Sequence, residues 1–147
     1  MKILVPVDGS KYSLEALKIA IDCAQYKKAD LAVISVASHT GGEGVDLEIS
    51  AGERARINER LEQQAASVIK EACDVIAKES IKADCKVVTT FSSIADAILS
   101  TAEKDKVDLI IMGSRGLSPS SRFKMGSVAS QVVKYSDCSV YVVKLSA

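Results

Sequence analysis

The stretch "MGSRGLSPSSRFKMGSVAS", Met112 to Ser130, sets glycines at 113, 116 and 126 and follows the third with Ser127. Glycine gives up side-chain packing and raises the entropy lost on folding, so such a cluster calls for a physical cause. Bare backbone lets main-chain N–H groups approach a ligand. A glycine–serine pair opening a helix adds unpaired N–H groups, a partial positive charge and a hydroxyl. Phosphate suits such a place. Taken singly, Gly113 also serves to end a strand, Gly116 to make a turn and Ser127 to cap a helix; their joint spacing is what points to an anion. Arg115, Arg122 and Lys124 lie in the same region and could add charge to a phosphate, although lone basic residues on a loop are commonly just solvated.

Two better-known phosphate loops are excluded. No Gly–Lys pair occurs, so there is no Walker loop, and no GxGxxG occurs either. Groups for catalysis are thin. A phosphoryl-transfer enzyme or hydrolase needs a base near the reacting phosphate and a means of placing the attacking group. His39, the one histidine, falls in a loop and reads as solvent-exposed. Asp8 could ligate a Mg²⁺ held by phosphates, but one carboxylate makes no metal cage. Cys23, Cys73, Cys85 and Cys138 lie far apart, with no CxxC and no histidine partner. They read as reduced, mostly buried thiols of a cytoplasmic protein, without a nucleophilic dyad.

The elements that must position these residues alternate. "KILVPVD", residues 2 to 8, is a short β-branched run. A helix follows it, with Ser10 or Ser13 as N-cap and Leu14, Leu17, Ile21 and Ala24 on its apolar face. "DLAVISVAS", Asp30 to Ser38, is a second strand, and a polar excursion runs from His39 to about Glu53. The longest helical pattern then places Ile57, Leu61, Ala65, Val68, Ala72, Val75 and Ile76 on one face. "DCKVVTTF" from Asp84 is a third strand. Ser93 with Asp96 makes a capping box for a helix whose Ile94, Ala97, Ile98 and Thr101 face inward. "VDLIIMG" is a fourth strand, buried on both faces; residues 127–136 are helical, packing through Val128, Val132 and Tyr135; "CSVYVVKL" is a fifth strand.

Such alternation implies one α/β domain over residues 1–147, a parallel sheet with helices on both faces and a ligand site beyond the C-terminal strand ends. The chain has 147 residues, 48% of them apolar, enough for a core. Nineteen basic residues balance nineteen acidic ones, which gives no field for nucleic acid or an anionic membrane. No apolar run approaches the roughly 20 residues of a membrane span, and Pro6 and Asp8 break the N-terminal one.

The spacing G-x2-G-x9-G-S, with "ILVPVDGS", "VDLIIMGSRG" and "GSVASQVV" in order, resembles the ATP-binding type of the universal stress protein family over the whole chain. The resemblance implies a single open five-stranded sheet of order 3-2-1-4-5, Rossmann-like and akin to the adenine nucleotide α-hydrolase fold. It implies that Asp8 lies beside the nucleoside, that Val36 and Met112 line the adenine slot, and that Gly113 and Gly116 approach ribose and phosphates. Gly126, Ser127 and Val128 would hold the phosphate tail. The cofactor implied is ATP, or ADP or AMP, with Mg²⁺. In that strand order the fifth strand is an edge with no proline or inward charge to protect it. Family members dimerise there, so Val140, Tyr141 and Val142 are expected at a two-fold contact. Ser139 stands where relatives often carry proline, and the spacer "LSPSSRFKM" is serine-rich and holds Pro119. The function implied is a nucleotide-dependent regulatory or stress-response protein. A slow ATP hydrolase of the same superfamily is the alternative, ahead of a nucleotide-free interaction module, against which the intact glycines argue.

Overall fold

The structure is a computed structural model describing residues 1–39, 49–117 and 125–145. Five parallel strands form one sheet: β1 (Lys2–Pro6), β2 (Asp30–Ser38), β3 (Ala83–Thr90), β4 (Leu109–Gly113) and β5 (Ser139–Val143), in the order β3-β2-β1-β4-β5. Between them run α1 (Lys11–Lys27), α2 (Ala51–Ala77), α3 (Ile94–Lys104) and α4 (Ser127–Tyr135). The strand order and the alternation are those expected.

The central strands are apolar at successive positions because both their faces are covered. Ile3, Val5, Leu31, Val33 and Ile111 pack under α1 and α2, joined by Leu17, Ile21, Ala72 and Ile76. Leu4, Ala32, Ile34, Ile110 and Met112 pack on the opposite face against Ile98 of α3 and Val132 of α4.

Serine caps set the helix starts. Ser10 caps α1, its Oγ accepting the Ser13 N–H at 3.2 Å, and Ser50 caps α2 through the Glu53 N–H at 3.2 Å. Ser93 caps α3 by accepting the Asp96 N–H at 3.1 Å. The Asp96 carboxylate does not complete a capping box, because it accepts the Ser92 hydroxyl at 2.7 Å instead.

Two apolar faces differ from expectation. On α1 the buried residues are Ser13, Ala16, Leu17, Ala20, Ile21 and Ala24, while Leu14 is 42% exposed. The buried stripe runs through these residues, and Leu14 falls outside it. Tyr135, at the last turn of α4, is 60% exposed, leaving Val132 and Ala129 as its buried anchors. On α2, Ala65, Ala72 and Ile76 are buried and Val68 and Val75 pack against the core, as the apolar stripe implies, while Leu61, Ala65 and Val68 also line a cavity.

Candidate functional site

A cavity of about 890 Å³ opens where β1 and β4 part, the switch point of the sheet. Its origin is the unequal length of neighbouring strands. Pairing of β1 with β2 ends at Pro6–Ile34, and the Val7 N–H makes one more bond to the Ile34 carbonyl at 2.8 Å. β2 continues to Ser38, held only by β3. Peptides of a parallel strand alternate in direction. Val36 therefore turns its N–H and C=O to the side that β1 has vacated, and Val36 lines the cavity. Met112, Ile94 and Ile98 line the same space, with Leu61, Ala65 and Val68 across from them on α2.

The turn after β1 carries Asp8. Gly9 adopts φ +84°, a conformation open to glycine and strained for other residues. This tight turn lets Asp8 Oδ1 accept the Ser10 N–H at 2.9 Å, while the Asp8 N–H donates to Ser13 Oγ at 3.3 Å. The second carboxylate oxygen, Oδ2, is left facing Gly116.

The three glycines of the opening stretch have three different surroundings. A β-carbon on Gly113 would lie 2.6 Å from Tyr12 Cβ and 2.9 Å from the Tyr12 carbonyl carbon, so α1 itself demands the bare backbone. A β-carbon on Gly116 would lie 2.6 Å from Asp8 Oδ2. At Gly126 the nearest atoms would be the Ser114 carbonyl oxygen at 3.5 Å and Arg115 Cα at 3.7 Å, ordinary contacts that leave room.

Gly126 is the N-cap of α4 and supplies no side-chain cap. Its own N–H donates to the Ser114 carbonyl at 2.7 Å, and the first intrahelical bond is the Ser130 N–H to the Gly126 carbonyl at 3.0 Å. The main-chain N–H groups of Ser127, Val128 and Ala129 therefore point out of the helix start into the cavity that these residues line. Ser127 is the first helical residue and not the cap, so its hydroxyl is uncommitted to the helix. Asp8, Val36, Met112, Gly113, Arg115, Gly116, Gly126, Ser127 and Val128 all line this one cavity. Arg122 and Lys124 lie outside the described residues. Three lining features were not singled out by motif reasoning: the α2 roof, Gly9 and Ser114. Gly9 had a signal, since glycine directly after a strand-end aspartate suggests a forced turn.

The other reactive groups sit elsewhere. His39 is not the exposed loop residue expected: its side chain is 12% exposed, packed edge-on to Phe91 with Nε2 2.9 Å from Glu62 Oε1. The four cysteines are free and half-buried. Burial, then the neighbouring Cys73 thiol and the charge of Asp84, push the Cys85 thiol up to about 12, so it stays protonated at neutral pH. Among the described residues no three His, Cys, Asp or Glu side chains gather to hold a metal, and no helix is long and apolar enough to cross a membrane.

β5 is an edge of the sheet, paired with β4 alone among the described strands. Tyr141 is 46% exposed there, and Val140 and Val142 are half-buried.

A parallel sheet with a cavity at its switch point, an open helix start on one side and a free carboxylate oxygen on the other is an α/β domain with its candidate ligand site beyond the strand ends. The chain matches the universal stress protein family over residues 1–144, and it belongs to that family. Universal stress protein MJ0531 of Methanocaldococcus jannaschii is 34% identical over 143 residues, covering 97% of this chain and 81% of that protein. Universal stress protein UspA from Lactobacillus plantarum has the same fold, with a TM-score of 0.83 at 23% identity over 98% of this chain and 97% of that one. The structure of protein MJ0577 gives a TM-score of 0.79 at 28% identity, over 99% and 96% of the two chains. The fold is also that of an Archaeoglobus fulgidus universal stress protein in complex with dAMP (TM-score 0.69, 21% identity, 98% of each chain). An Arabidopsis thaliana family member with AMP bound shares it as well (TM-score 0.72, 15% identity, 100% of this chain and 93% of that one).

Proposed function

We propose that this chain binds adenosine 5′-phosphates, ATP with Mg²⁺ among them, and works as a nucleotide-dependent regulatory protein rather than as an efficient enzyme. One observation carries the reading. A single cavity holds three kinds of unsatisfied group, in the order that a nucleotide presents their complements. The N–H groups opening α4 suit phosphate. Asp8 Oδ2, beside Gly116, suits ribose hydroxyls. The unpaired N–H and C=O of Val36 suit the N1 acceptor and N6 donor of adenine, a pattern that guanine reverses. Met112, Ile94, Ile98 and Val68 supply apolar walls for the base. Relatives of the same fold carrying dAMP and AMP support the ligand class.

Binding is favoured over turnover because Asp8 is the one carboxylate, and Arg115 the one cation, among the described residues lining the cavity. Asp8 has one oxygen engaged by its own turn, which leaves the other for ribose or for a phosphate-bound Mg²⁺ rather than for activating water. Denaturing the purified protein and weighing the released small molecules tests the reading. Adenosine phosphates are expected; a protein that releases none, and takes none up when incubated with ATP, contradicts it.

A further inference from the structure

β3 forms the second edge of the sheet, paired with β2 alone among the described strands. Along it Ala83, Cys85 and Val87 are half-buried while Asp84 and Lys86 are exposed, so Ala83 and Cys85 share one face. Cys85 stands in register with Val33 and packs with it in the apolar cluster beneath α1 and α2. On α2, Cys73 lies four residues after Ile69 and three before Ile76, both packed in that cluster, so the three share one stripe of the helix. Strand and helix thereby bring two thiols together: the Cys85 thiol meets that of Cys73. Both cysteines are free and half-buried, within reach of a small molecule at the sheet edge. Of the other two, Cys23 belongs to α1 and Cys138 packs on the opposite face of the sheet.

We propose that Cys73 and Cys85 are a redox switch, joined by hydrogen peroxide in a reversible disulfide that staples α2 to β3. Neither residue lines the cavity, so the switch stands apart from the nucleotide reading. The Cys73 sulfur attacks one peroxide oxygen and the O–O bond breaks. Cys73 becomes a sulfenic acid, and the displaced hydroxide leaves with the thiol proton as water. The Cys85 sulfur then attacks the Cys73 sulfur, the S–O bond breaks, and the leaving hydroxide carries off the Cys85 proton as a second water. The two thiols lose two electrons, which the peroxide gains. Burial and the neighbouring thiol hold Cys85 protonated, pushed up to about 12, which gives it the second role rather than the first. A dithiol reverses the bond by exchange. The helix so fixed is the one that carries Leu61, Ala65 and Val68 over the cavity.

Peptide mapping of the wild-type protein tests this without any variant. Trypsin cuts after Lys70, Lys78, Lys82 and Lys86, which releases Cys73 in residues 71–78 and Cys85 in residues 83–86. After treatment with hydrogen peroxide and alkylation of the remaining thiols, the two peptides should be found joined, and dithiothreitol should part them. The urea midpoint should rise by about 1–3 M on oxidation, as expected for a short closed loop, and return on reduction. Cys73→Ser and Cys85→Ser should each abolish the shift, and Cys138→Ser should keep it. Separate peptides after oxidation, Cys73 joined to Cys23 instead, or a joined pair without a gain in midpoint would each overturn the switch.

Discussion

A β-carbon built on Gly116 would stand 2.6 Å from Asp8 Oδ2, so the turn after β1 and the loop after β4 are coupled across the cavity. The obstacle is the tip of a side chain, which can swing, so Gly116→Ala should fold with little change in stability but displace the carboxylate. ATP affinity should fall in Gly116→Ala, and the added alanine should matter much less in an Asp8→Ala background. A double-mutant cycle by titration calorimetry reads this, with a coupling of about 0.5–3 kcal/mol expected for contacting residues. Strict additivity would separate the two positions.

Gly113 makes the opposite prediction. Its β-carbon would run into the main chain of α1 at Tyr12, which cannot swing aside. Gly113→Ala should therefore destabilise the protein by about 1–3 kcal/mol, the range of core overpacking. Urea unfolding checks it, and an unchanged midpoint would mean that α1 shifts freely.

Two serines at helix starts separate capping from binding. Ser10 caps α1, so Ser10→Ala should cost about 1 kcal/mol. Ser127 is not a cap, so Ser127→Ala should leave stability within about 0.5 kcal/mol. Under the nucleotide reading it should still weaken ATP about 10- to 150-fold through one lost charged hydrogen bond. Equal losses of stability in the two variants would refute the distinction.

The exposed edge at β5 leads to a prediction about assembly. An apolar, β-branched edge without proline or inward charge pairs with other chains. A homodimer across Val140, Tyr141 and Val142 is expected in sedimentation at tens of micromolar, and Val142→Asp should give a folded monomer. A wild-type monomer at that concentration, or a dimer untouched by the substitution, contradicts this.

How far these features were legible follows from what local pattern carries. β2 was readable to its end residues because an apolar, β-branched run broken only by Ser35 and set between polar ends has few alternatives. The caps Ser10 and Ser93 were readable because capping is a local bond. Leu14 was not, since helical periodicity equally admits a stripe through Ser13, Ala16 and Ala20 that leaves Leu14 outside. The cavity beneath α2 was not legible either: that Leu61 and Val68 line one depends on where β1 stops. The glycine spacing read jointly as one anion site, whereas Tyr12 lies opposite Gly113, Asp8 opposite Gly116, and Ser114 and Arg115 at ordinary contact distance from Gly126. Tyr12 and Asp8 come from a remote part of the chain, beyond the reach of spacing.

Gly126 gives the most direct test of the central claim, because ordinary contact distances surround its missing β-carbon and its φ of −76° is one that any residue adopts. The ligand-free fold therefore has room there, and a branched side chain would project where a phosphate would lie. Calorimetric titration of ATP into wild type and Gly126→Val, with both confirmed folded by thermal melts, is the measurement. Saturable binding by wild type and none by the variant is the predicted result. Equal binding by the two, or no binding by wild type, would contradict a nucleotide site at the start of α4.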